Sequence, residues 1–106
     1  MATWAPIQYR EFWDVPRIFI VPFRQRWFLF DCRFNEATED FPNHYQVYLL
    51  HHLEPGELTG SWDDLHRKAV QFIATVPIEQ VHFDASKRRE VDVGVLEELT
   101  SQAGIT

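Results

Sequence analysis

Apolar and polar positions alternate through most of the first half of the chain, and that period of two predicts strands. From Arg26 to Phe34, Phe28, Phe30, Cys32 and Phe34 point one way, and Trp27, Leu29, Asp31 and Arg33 the other. Tyr45 to Glu54 repeats the pattern, with Tyr45, Val47, Leu49, His51 and Leu53 opposite Gln46, Tyr48, Leu50, His52 and Glu54. The β-branched and aromatic run Arg17 to Phe23 reads as another strand, with Pro22 at an end or edge because it has no N–H for a ladder. Only Arg24 and Gln25 separate it from the next strand, so a tight hairpin is expected although the Asn-Gly signature is missing. Partial alternation from Ile7 to Asp14 predicts a first strand.

After the loop EPGELTG the period changes. Trp62, Leu65, Ala69, Phe72, Ile73 and Val76 recur at spacings of three, four and seven, which predicts a helix capped by Ser61 and ended by Pro77. Asp63 with Arg67 and Asp64 with Lys68 would be i,i+4 pairs on its wet side. PIEQVHFD then reads as a short strand, and Asp92 caps a final helix over about Val93 to Ala103, stopped by Gly104. The expected fold class is α+β: an antiparallel meander of about four strands followed by a helix, a short strand and a C-terminal helix. Residues 1–106 form one domain in this reading, since a length of 106 fits a single core. Trp27, Leu29, Tyr48 and Leu50 fall on the sheet face away from the main core. Coverage of that second face by the C-terminal helix and the N-terminal segment with Trp4 and Trp13 is the expectation, and an exposed patch that joins two copies as a homodimer is the alternative.

Composition adds a bias within the chain. Sixteen residues are aromatic, thirteen of them within residues 1–53, so the excess belongs to the meander. The net charge of -6 argues against nucleic-acid and anionic-membrane partners, which need a basic face. That charge is uneven: residues 1–34 carry five arginines against Glu11, Asp14 and Asp31, whereas residues 35–66 carry seven acids and no lysine or arginine. The single cysteine forbids an internal disulfide, and the opening residues carry no basic stretch leading into an apolar run, so the cytoplasm is the expected location.

Candidate chemistry is sparse. No G-x-S-x-G elbow, Walker A loop, G-x-G-x-x-G or HExxH motif occurs, and no metal or cofactor is expected. Cys32 lies among phenylalanines, where burial makes a thiol inert. The first reading is therefore a non-enzymatic interaction or regulatory domain of inhibitor or immunity type. It would present Glu36, Glu39, Asp40, Phe41, Glu54, Glu57, Trp62, Asp63 and Asp64 to a basic protein partner. The alternative is a small enzyme or a ligand- or metal-binding domain built on His82, Asp84 and His51 or His52. His82 and Asp84 share one side of a strand, whereas the adjacent His51 and His52 leave on opposite faces.

Overall fold

The computed structural model describes residues 3–40, 42–50, 53–59, 62 and 65–104. In chain order the strands are β1 (Trp4–Pro6), β2 (Gln8–Tyr9), β3 (Ile18–Phe23), β4 (Arg26–Asp31), β5 (His44–Leu50), β6 (Ala69–Pro77) and β7 (Glu90–Asp92), followed by helix α1 (Val93–Gln102). Strands β2 to β6 form one antiparallel sheet in sequence order, and β1 pairs with β7 in a second, two-stranded sheet. The α+β class is thus observed, with the C-terminal helix where the Asp92 cap places it.

Each feature has a local cause. Arg24 and Gln25 join β3 to β4 with φ values of +52° and +66°, the left-handed pair that a type I′ hairpin turn requires. Neither is glycine or asparagine, so the turn carries strain that the paired strands hold in place. At α1, Asp92 accepts from Gly94 N at 2.7 Å, and Gly104 follows the helix with φ +69°.

Two corrections concern the elements after residue 60. The expected helix from Ser61 to Val76 is absent: Ser61, Asp63 and Asp64 lie outside the described residues, Leu65–Lys68 is a single 3-10 turn, and Ala69–Pro77 is strand β6. Tyr45 pairs with Val76 and Val47 with Ala74, but Tyr48 pairs with Phe72 and Leu50 with Ala69, with register shifts between Val47 and Tyr48 and between Leu49 and Leu50. Ile73 and Val70 are thus the extra residues of two β-bulges. Two insertions stretch a period of two into spacings of three and four, which is why the segment imitates an amphipathic helix. Lys68 correspondingly pairs with Glu57 at 2.8 Å instead of serving a helix face. Further along, PIEQVHFD is not a strand: Ile78–Gln80 is a 3-10 turn, and Phe83 makes an isolated bridge to Val91. The first strand is also shorter than the Ile7–Asp14 run, because the chain turns after Tyr9 and leaves only β2 in the sheet.

The sheet separates two cores. On one face Phe19, Phe28, Phe30, Tyr45, Val47 and Val76 pack against Ala5, Val91, Leu96 and Leu99, so β1, β7 and α1 form the cover. Phe19 stacks on Phe30 at 4.6 Å with an interplanar angle of 9°, and Tyr45 meets both rings edge-on. On the second face Ile18, Ile20, Leu29 and Leu50 are covered by Leu53, Trp62 and Leu65. Internal coverage is therefore realised, but by the 53–68 connection. The termini that were expected there lie on the first face or in solvent, with Trp13 74% exposed.

Candidate functional site

Coverage of the second face stops short of its polar end. Beyond Leu29 and Leu50, β4 and β5 present Asp31, His44, Gln46 and Tyr48, which with Arg33, Pro42 and His66 line a cleft of about 350 Å³. The strand register dictates this grouping, since Asp31 lies opposite Gln46 and Leu29 opposite Tyr48. Asp31 is buried. Both its carboxylate oxygens accept from Arg33 Nε, at 3.1 and 2.9 Å. Arg33 Nη2 donates to Trp62 O at 3.2 Å and meets His66 Nδ1 at 3.1 Å. A guanidinium can only donate, so Nδ1 is the acceptor and His66 carries its proton on Nε2. Tyr48 stands 6.1 Å from the His66 ring and edge-on to Phe72 at 5.5 Å, so an aromatic wall adjoins the polar one.

The acidic turn grows from the rim of this cleft. Arg33 and Pro42 bracket residues 35–40, where Asn35 N donates to Asp40 O at 2.8 Å and Asp40 N returns to Asn35 O at 3.2 Å. Asn35 Oδ1 also accepts from Ala37 N at 2.9 Å, and Glu39 is held at φ +54°. Four bonded or strained backbone positions within six residues make this a shaped turn, on which Glu36, Glu39 and Asp40 are exposed. The other expected contact residues divide. Glu54 is exposed, and its N–H donates to Glu57 Oε2 at 2.8 Å; Glu57 is tied to Lys68. Phe41, Asp63 and Asp64 lie outside the described residues.

Trp62 needs correction as a surface contact. Its side chain is part of the second core, with the residue only 2% exposed, Nε1 directed to Leu58 O at 3.3 Å and the Arg10 guanidinium 4.4 Å above the ring. Large aromatics are favoured at interfaces and in cores for the same reason, their buried area, and here the core takes it.

Of the residues of the alternative reading, the described His82 and Asp84 make different sets of contacts. Ser86 Oγ donates to the Asp84 carboxylate, which also accepts from the backbone N–H groups of Ser86, Arg89 and Glu90 at 3.0–3.1 Å. The Ser86 hydroxyl and these amides hold the carboxyl well below the usual range, so Asp84 braces the basic loop 86–89. His82 is exposed and lines a different cleft of about 450 Å³ with Glu79, Asp92 and Glu98, while His51 and His52 lie outside the described residues. Among the described residues no three His, Cys, Asp or Glu side chains are placed to hold a metal ion.

Cys32 is buried, as its phenylalanine neighbours imply. Burial pushes the thiol above its ordinary value against the pull of Arg17, whose Nη1 lies 3.3 Å from Sγ. Arg17 also donates to Pro42 O at 3.1 Å and pairs with Asp14 at 2.5 Å, so this buried guanidinium anchors the far end of the acidic turn to β3. No described helix is long and apolar enough to cross a membrane. The chain matches no protein-family model, no curated protein and no solved structure, so the reading rests on the residues themselves.

Proposed function

We propose that the chain is a non-enzymatic interaction domain, of inhibitor or immunity type, that docks a basic protein partner on the acidic turn 35–40 and the adjoining cleft. The observation that carries this reading is the position of the turn. Three exposed carboxylates stand on a backbone already fixed by its own hydrogen bonds, between Arg33 and Pro42, which line the cleft with His44, Tyr48 and His66. A preorganised charged loop loses little entropy on binding, and exposed surface carboxylates accelerate encounter with a cationic surface. Glu54 extends the same sign of charge along the segment that covers the second face. Trp62 supports the site from beneath, through its carbonyl bond to Arg33.

The test is affinity capture from the host lysate on the full chain and on the triple variant Glu36→Gln, Glu39→Gln, Asp40→Asn, followed by association kinetics with each captured protein. A basic partner whose association rate drops in the triple variant supports the assignment. Capture that is identical for both proteins, in rate and in salt dependence, rejects it. Retention of a small molecule at the His82 cleft, lost in His82→Ala, would instead favour the ligand-binding alternative.

A further inference from the structure

The cleft on the second face is unbalanced in its hydrogen-bonding groups, because its acceptors are largely engaged within the chain. Both Asp31 oxygens accept from Arg33 Nε, at 3.1 and 2.9 Å, and His66 Nδ1 accepts from Arg33 Nη2 at 3.1 Å. Gln46 lies in register between Asp31 of β4 and Thr75 of β6, and its Oε1 accepts from Thr75 Oγ1 at 3.2 Å. The Pro42 carbonyl accepts from Arg17 Nη1 and Cys32 Sγ, each at 3.1 Å. Those bonds leave mainly donors on the lining. The Nη1 pair of Arg33, the side-chain N–H groups of Gln46 and the Nε2–H of His66 meet no acceptor among the described residues. The Tyr48 hydroxyl is a further group that can donate.

Charge narrows the ligand further. The Asp31 carboxylate offsets the Arg33 guanidinium at 2.9 Å, and the His66 ring accepts at Nδ1 as an uncharged tautomer, so the lining holds no surplus positive charge for an anion. The exposed Glu36, Glu39 and Asp40 next to it repel one. A cation brings only donors to a wall of donors. We propose that the cleft is a binding site for an uncharged planar carbonyl group of the amide class. The carbonyl oxygen accepts from the Arg33, Gln46 and His66 donors, and the plane of the group lies against the Tyr48 ring, which His66 at 6.1 Å and Phe72 at 5.5 Å hold in an aromatic wall. A volume of about 350 Å³ suits a small ligand or one side chain. The side-chain amide of a docked protein and a free small amide share this chemistry, and the site does not require that the acidic turn receive a basic partner.

Benzamide, benzoate and benzamidinium have nearly the same shape and differ in charge and in donors, and each is titrated into the isotope-labelled full chain while its amide NMR shifts are followed. Benzamide is expected to saturate in the millimolar range with shifts centred on Arg33, Gln46, Tyr48 and His66, and the two ions to bind about tenfold more weakly. Gln46→Glu still accepts from Thr75 but replaces the donor by a second acceptor, so benzamide is expected to weaken about tenfold and benzamidinium to overtake it. Gln46→Met adds no charge opposite Asp31 and is expected to show the loss without that reversal. The Glu36→Gln, Glu39→Gln, Asp40→Asn variant is expected to bind benzamide as the wild type does and benzoate more tightly, which separates this site from the docking of a basic partner. Displacement of a captured protein by benzamide assigns the amide to that protein, and a protein that stays bound assigns it to a free small molecule. Benzoate or benzamidinium that binds the wild type as tightly as benzamide overturns the proposal. So do benzamide shifts that do not saturate by tens of millimolar, or an affinity that both Gln46 variants leave unchanged.

Discussion

At the scale of single residues, the buried side chains divide between packing and anchoring. Trp62 does both, filling the second core and accepting a hydrogen bond from Arg33 at its carbonyl beside the cleft. Trp62→Ala is expected to cost about 3–5 kcal/mol, the usual penalty for emptying a buried large aromatic site, seen as a drop in thermal midpoint. Trp62→Phe should recover most of it. Tyr45 and Cys32 set the alkaline limit of stability. Burial pushes both groups upward, the phenol strongly, so the fold holds them neutral. A group whose value is raised on folding favours the fold below its unfolded value and loses that contribution as pH rises through the folded one. Denaturant midpoints should therefore fall as pH rises beyond about 8.5, where an unfolded thiol ionises, and Cys32→Ser should shift the onset upward toward the tyrosine range near 10. Asp84 acts at the opposite limit: its value is depressed in the fold, so its contribution is present above about pH 4 and is lost as pH falls below that.

At the scale of elements, the β3–β4 hairpin gives the cleanest prediction. Gln25 occupies a left-handed position at φ +66°, and Gln25→Gly should raise stability by up to about 1 kcal/mol in chemical denaturation. The contrast between β5 and β6 shows what the sequence made legible. Tyr45 to Leu50 alternates without interruption, and its strand and faces followed directly from the residues. The nine residues of β6 carry Val70, Phe72, Ile73, Thr75 and Val76, a β-rich set, but two bulge residues displaced the alternation and left spacings that suit a helix as well. Helix α1 was legible because Asp92 and Gly104 mark its ends by local chemistry, independent of what lies above it. Asp92→Ala is expected to cost about 1 kcal/mol through loss of that cap. The cleft was only half visible. Asp31 and Gln46 can be assigned to the second face from alternation, but His66 arrives there through a 3-10 turn that periodicity had placed inside a helix.

At the scale of the molecule, charge and architecture divide the chain into parts with different duties. The aromatic meander supplies a sheet with a core on each face, and the acidic 53–68 connection closes the second face and leaves its polar end open. Segments of that composition are usually excluded from cores, and this one is retained because Leu53, Trp62 and Leu65 fasten it at three points. The acidic turn 35–40 is fastened at both ends as well, through Arg33 on one side and Arg17 to Pro42 on the other. Its backbone is fixed by its own hydrogen bonds, and the central proposal is that this preorganised turn docks a basic partner. It is tested most directly by the association rate between the full chain and its captured basic partner, measured across ionic strength for the wild type and for the Glu36→Gln, Glu39→Gln, Asp40→Asn variant. The account predicts a wild-type rate that falls steeply with added salt, by about tenfold or more across the accessible range, and a variant rate that is slower and nearly flat. Equal rates and equal salt slopes for the two proteins would contradict it.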